Sequence, residues 1–189
     1  MYLHMITSAP WVMYPEITQP QRPTWRFREP SDTDGDQIFQ LIKDCPPLDV
    51  NSSYCNFLQS THFADTCILV EIDDEVAGFI SAYRKPQQPD VLFVWQVAVS
   101  SNHRGKGIAS KMLDRLLARD TLSDINAIET MITKNNTASW MLFEKLDKRH
   151  GKRGEISVFL DQNTHFKGEH DTEYLYRIPL SRAHAHSSQ

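Results

Sequence analysis

Several absences narrow the reading of this chain before any motif is considered. Its 189 residues include only three cysteines, Cys45, Cys55 and Cys67, with no Cys-x-x-Cys spacing. That excludes a disulfide framework or zinc site readable from sequence, and it suits reduced thiols in a cytoplasmic protein. A basic surplus is also missing: 20 Lys and Arg stand against 24 Asp and Glu, a net charge of −4. A nucleic-acid partner is therefore not expected. No apolar run approaches the ~20 residues of a membrane span, and no basic stretch with an apolar core opens the chain, so no membrane association is expected. His62, His103, His150, His165 and His170 show no ligand spacing along one helix face, and no metal is expected. Glycine is scarce, with seven in all, yet two of them, Gly105 and Gly107, sit almost side by side.

Those two glycines follow the run Phe93-Val94-Trp95-Gln96-Val97-Ala98-Val99, which is apolar, β-branched or aromatic apart from Gln96 and reads as a buried strand. After them, Ile108, Met112, Leu113, Leu116 and Leu117 form the stripe of an amphipathic helix. Strand, glycine turn and helix together make an anion site, because backbone N–H groups can crowd onto a phosphate where no Cβ obstructs them, at the positive end of a helix. Arg104 and Lys106 add charge. The spacing rejects a P-loop, and Ser110 stands where a dinucleotide fingerprint needs its third glycine. What does fit is Arg-x-x-Gly-x-Ala, read at Arg104, Gly107 and Ala109.

The remaining elements can be placed in order. Residues 1–23 carry Pro10, Pro15 and Pro20 without periodicity and are expected to form a flexible arm; 181–189 are expected to be a disordered tail. Between them the pattern predicts a strand over Thr24–Arg28, then a helix capped by Asp32 with Ile38, Leu41, Ile42 and Cys45 on one face. A second helix over Ser53–Phe63 should carry Tyr54, Phe57 and Leu58 on one side. A hairpin turns at Asp73-Asp74, Arg84–Asp90 reads as a loop, and Ile125–Thr133 reads as a strand. A helix capped by Asn136 follows, and strands near Ile156–Leu160 and Tyr174–Ile178 close the domain. Alternating α and β elements imply a mixed central sheet flanked by helices.

The Arg104–Ala109 motif, in that strand-to-helix setting, resembles the acetyl-CoA pyrophosphate motif of the GNAT superfamily of N-acetyltransferases, and the element order over 24–180 is similar to its fold. The resemblance implies acetyl-CoA as cosubstrate, with the pantetheine arm on the backbone of Val97 and Val99. It also puts the pyrophosphate on Arg104, Gly105, Lys106, Gly107, Ile108 and Ala109, and a further contact at Asn136. Many relatives carry a Glu base on the fourth strand and a Tyr acid seven residues after the capping Asn. Here Leu92–Val99 has no Asp, Glu or His, and Phe143, which has no proton to give, occupies the second position. That leaves direct attack by a bound amine, with Asp49 and Glu129 as candidate assisting carboxylates.

The stretch Pro46-Pro47-Leu48-Asp49-Val50-Asn51-Ser52-Ser53-Tyr54, read beside Phe93–Val99, Ile128-Glu129-Thr130 and Asn136–Ser139, resembles the branch of that superfamily that acetylates the 4-amino group of L-2,4-diaminobutyrate on the route to the compatible solute ectoine. This implies a small diamino acid substrate, with Asp49 pairing an ammonium, Asn51 and Tyr54 orienting it, and Trp95 and Tyr83 walling the pocket. Arg84 and Lys134 are possible anchors for its carboxylate. A homodimer is expected by the same resemblance. Two alternatives remain open from the residues: another small amine or polyamine as acceptor, and a non-catalytic acyl-CoA-binding module.

Overall fold

The long fourth strand sets the architecture. The computed structural model describes residues 23–181, so the expected arm and tail lie, apart from one residue at each end, outside the described residues. In chain order the elements are β1 (Trp25–Arg28), α1 (Gly35–Lys43), α2 (Ser53–Thr61), β2 (Ile68–Ile72), β3 (Glu75–Lys85) and β4 (Gln88–Val99). Then come α3 (Ile108–Leu117), β5 (Ala127–Thr133), α4 (Thr137–Arg149), β6 (Glu155–Leu160) and β7 (Glu173–Pro179). The strands form one sheet in the order β1-β2-β3-β4-β5-β7-β6. Every neighbouring pair is antiparallel except β4 and β5, which run parallel.

That one parallel pairing is short. It joins Val91–Val94 to Ala127–Thr130 and goes no further, although both strands continue. It stops where β4 acquires an extra residue: Ser81 of β3 pairs with Gln96 and Ala82 with Val94, which leaves Trp95 as a bulge. A bulge bends its strand and shifts the alternation of side chains by one. Leu92 and Val94 therefore pack in the large core with α3 and α4, and so do Val97 and Val99 beyond the bulge. Ala98 packs instead with α1.

Apolar periodicity places the helices. Ile108, Met112, Leu113 and Leu116 of α3, with Phe143 and Leu146 of α4, bury against one sheet face. Ile38, Leu41 and Ile42 of α1 bury against the other. Full burial of each such side chain contributes about 1.5–3 kcal/mol. The α1 side adds a charge network. Arg28 forks onto Asp34 through two 2.7 Å hydrogen bonds and also reaches Glu71, which Arg26 contacts in turn. The Arg28 hydrogen bond, working against burial, holds the Asp34 carboxyl down at about 2. At the hairpin, Asp73 and Asp74 both take positive φ, the geometry of a tight two-residue turn.

Three expectations need correction. The first helix starts after Asp34 rather than Asp32, because Asp34 accepts from Ser31 N and Arg28 and so fixes the helix entry. Arg84–Asp90 is not a free loop: β3 and β4 run through it and turn at Pro86-Gln87. The second helix is inverted. It buries Asn56, Gln59 and Ser60, while Tyr54 is 70% exposed. The buried polar groups are partly satisfied, Asn56 Nδ2 donating to Gln59 Oε1 and Ser60 Oγ to the Asn56 carbonyl, while Asn56 Oδ1 has no partner among the described residues, so polarity alone did not decide which face turned inward. On the sheet's outer edge, β6 leaves Ile156, Val158 and Phe159 exposed.

Candidate active site

Where β4 leaves β5, a cleft of about 470 Å³ opens. Val97, Val99, Arg104, Gly105, Gly107, Ile108, Ala109 and Asn136 line it, together with Ser110, Ser139 and the Cys45–Leu48 segment. Lys106 lies on the same turn but is exposed and is not among the lining residues. Gly105 and Gly107 have φ of 75° and 77°, a left-handed conformation that disfavours any side chain. Gly107 occupies the N-cap position of α3 and supplies no side-chain cap. The first intrahelical bond is Lys111 N to the Gly107 carbonyl, at 3.1 Å. The amides of Ile108, Ala109 and Ser110 therefore have no partner within the helix and open onto the cleft, where an anion suits both them and the helix dipole. Arg104 Nε and Cys45 Sγ donate to the Val99 carbonyl at 3.0 and 3.3 Å. Asn136 caps α4, its Oδ1 accepting from Ser139 N at 3.1 Å. Phe143 is buried in the core behind the cleft.

On the opposite face of the sheet, Gln96, next to the bulge at Trp95, reaches the α1–α2 connection. Gln96 Nε2 donates to the Asp49 carbonyl at 2.8 Å, and Asn51 Nδ2 donates to Gln96 Oε1 at 3.1 Å. Gln96 thus pins the Pro46–Ser52 loop to β4, a role that the apolar reading of this strand missed. Asn51 is engaged in that clip. Trp95 meets Tyr83 edge-on at 6.5 Å, and Tyr83 also contacts Phe93 and Phe63. Tyr54 points away from this cluster into solvent.

Of the two candidate carboxylates, Asp49 sits exposed on the loop, while Glu129 is buried and ion-paired with both Lys85 and Arg177. Sequence reasoning overlooked a third carboxylate, Glu173 at the start of β7. Burial raises its pKa, and the nearby Asp49 and Asp171 raise it further, with His170 opposing. Two carboxylates that feel each other's charge, with neither in an ion pair among the described residues, suit an ammonium group. The possible anchors lie elsewhere: Arg84 is bound to Asp124 and to the Pro89 and Thr121 carbonyls, and Lys134 is exposed beyond β5. Among the described residues no cluster of three or more His, Cys, Asp or Glu is placed to hold a metal, and no helix is long and apolar enough to cross a membrane.

Comparison with known proteins agrees with this geometry. Residues 35–147 match the family model described as the acetyltransferase (GNAT) family. The chain is 62% identical over 180 residues, 95% of its own length and 99% of the other's, to a protein of Vibrio parahaemolyticus named L-2,4-diaminobutyric acid acetyltransferase. It is 56% identical to the protein of the same name from Vibrio cholerae, covering 89% of this chain and 98% of that one. A solved structure from Paenibacillus lautus, a diaminobutyrate acetyltransferase in complex with its substrate L-2,4-diaminobutyric acid and coenzyme A, superposes with a TM-score of 0.80. It is 36% identical and covers 84% of this chain and 96% of its own.

Proposed function

This chain belongs to the acetyltransferase (GNAT) family, and from that premise we propose that it transfers the acetyl group of acetyl-CoA to the 4-amino group of L-2,4-diaminobutyrate, a step toward ectoine under osmotic stress. The observation that carries this reading is the opening of β4 from β5 beyond Val94, with an anion-binding turn at one end and Asp49, Glu173 and Trp95 on the acceptor side. The similarity to proteins of that name over nearly the whole chain supports the choice of acceptor.

Bound acetyl-CoA supplies a thioester. Arg104 and the amides of Gly105–Ala109 would hold its pyrophosphate, Val97 and Val99 would offer backbone to its arm, and Asn136 would border it; the chemistry of the lining residues suits such a ligand. The exposed Lys106 side chain adds positive charge beside this turn. The acceptor must attack as a neutral amine. With an alkylammonium pKa near that of lysine, about 10.4, neutrality at pH 7 costs roughly 4–5 kcal/mol. Glu173, its pKa raised, is the better candidate to take that proton, with Asp49 as the companion charge that holds the ammonium. Glu129, tied to two cations, is held as a carboxylate partner to them and is a poorer base than Glu173. Phe143 leaves the departing thiolate without a side-chain acid at that position, so orientation beside the thioester supplies much of the rate.

The catalytic domain spans 24–180, and we place the protein in the cytoplasm as a homodimer, a reading supported by the exposed Ile156, Val158 and Phe159 on the edge strand. The decisive test is thiol release from acetyl-CoA with diaminobutyrate beside lysine, ornithine, putrescine and a peptide. Preference for diaminobutyrate, with product acetylated at the 4-amino group, is expected. Equal rates would reduce the conclusion to the family alone, and binding of acetyl-CoA without turnover of any amine would overturn it.

A further inference from the structure

Glu129 is buried to 4% side-chain exposure, and two cations close on it from either side: Lys85 Nζ at 2.6 Å, reaching across β4 from β3, and the Arg177 guanidinium from the adjacent β7. One carboxylate facing two cations leaves a net positive charge. Both cations reach solvent, with side chains 29% and 36% exposed. Lys85 spends donors on Glu129 and Gln88, and Arg177 spends one of its five on Glu129, so unfilled N–H groups remain. Glu155, opposite Arg177 on β6, is exposed and makes no ion pair with it among the described residues.

The strand register shows where these donors face. Tyr83 pairs with Phe93, Phe93 with Glu129 and Glu129 with Arg177, so the cluster and the Tyr83–Phe93–Trp95 aromatics share one sheet face. That face is the acceptor side. The anionic pair, Asp49 and Glu173, lies further along it, at the level of Gln96 and Thr133. From Glu129 to Thr133 on β5 is four residues, about 13 Å of strand, a gap that one long cationic side chain and a small amino acid together bridge. The acceptor side therefore has a positive end and a negative end, with an aromatic wall between.

The geometry points to Lys85 and Arg177 as the anchor for the carboxylate of the acceptor amino acid, an assignment that rests on the acetyltransferase reading above. Glu129 acts as a positioning residue that gathers the two cations. This arrangement also explains a choice of amine. The 2-amino group sits on the carbon that bears the carboxylate and is held near the cations, whereas the 4-amino group extends toward Asp49, Glu173 and the cleft. A diamine without a carboxylate loses this orientation.

The test compares kcat/KM for L-2,4-diaminobutyrate with that for 1,3-diaminopropane, which is the same diamine without its carboxylate, and for 2,4-diaminobutyramide, whose uncharged amide replaces the carboxylate. The intact enzyme should favour diaminobutyrate over both by at least about tenfold, the scale of one charge-assisted hydrogen bond. Arg177→Gln and Lys85→Gln should each cut that preference about tenfold, mainly through KM for diaminobutyrate. A purely structural role would slow diaminobutyrate and diaminopropane alike and leave their ratio intact, which would overturn the assignment. If the variants fail to fold, the intact enzyme still decides: equal kcat/KM for diaminobutyrate and its amide would exclude a carboxylate anchor. Failure of the intact enzyme to acetylate any of the three would instead sink the acetyltransferase reading itself.

Discussion

The two sides of β4 hold their ligands by different means. On the cofactor side the groups that matter are mostly backbone: amides at an uncapped helix start, glycines in left-handed conformations, and strand atoms that β5 no longer pairs. On the acceptor side they are side chains, namely two acids, two cations, an aromatic wall and a glutamine clip. Backbone recognition depends on conformation and reads a phosphate that every acetyl-CoA carries. Side-chain recognition depends on residue identity and discriminates among amines. Specificity should therefore be lost by conservative substitution on one side and only by changes of backbone geometry on the other.

The largest expected effect separates the two sides cleanly. In Asp49→Asn/Glu173→Gln, kcat/KM for diaminobutyrate should fall about a hundredfold or more, the cost of unpairing a charged ligand. Calorimetric binding of acetyl-CoA should stay within about twofold. A parallel loss of acetyl-CoA affinity would show that the sides are not independent.

The next effect concerns what holds each side together. The α1 side relies on the Arg28–Asp34–Glu71 network, whereas α3 rests on an apolar core. Because the Asp34 pKa is about 2 in the folded protein, below its ordinary value of 3.8, its contribution is complete above about pH 4 and is lost as pH falls toward 2. The loss amounts to about 2 kcal/mol. Hydrogen exchange between pH 4 and 2.5 should show α1 amides losing protection before those of α3, and simultaneous loss would count against the distinction.

Gly107→Val forces a β-branched residue into φ of 77°. It should weaken acetyl-CoA binding about tenfold, with strain of about 1–3 kcal/mol, and leave KM for diaminobutyrate at saturating acetyl-CoA much less affected. The smallest effect belongs to Gln96→Leu. Releasing the Asp49–Asn51 loop should raise KM for diaminobutyrate roughly fivefold, near 1 kcal/mol for the lost hydrogen bonds, with no change for acetyl-CoA.

The two sides also differed in how legible they were in the sequence. The cofactor turn was readable because its determinants are contiguous: a strand, Arg104, two glycines and an apolar helix stripe within one short stretch. The acceptor side was read only in part. Asp49 and Glu173 are far apart in the chain and come within electrostatic reach because β7 inserts between β5 and β6, a strand order that no local pattern encodes. Glu129 read as a free carboxylate because Lys85 and Arg177 reach it from other strands. The second helix misled for another reason. Tyr54 and Phe57 follow helical spacing, but packing turned Asn56, Gln59 and Ser60 inward, where they bond to one another, and periodicity cannot tell a buried face from an exposed apolar one.

The bulge at Trp95 adds one residue to β4 that has no partner on β3, and parallel pairing with β5 ends beside it. Part of the function is thus encoded in the length of the strand rather than in the identity of a side chain. Replacing Trp95 with alanine removes a ring from the acceptor wall and leaves the opening for the cofactor in place. Deleting the residue should restore one-to-one pairing with β3, let β4 continue beside β5, and close the cleft from behind. Substitution and deletion at this one position should therefore differ in kind, the first altering which amine is accepted and the second abolishing the seat of acetyl-CoA.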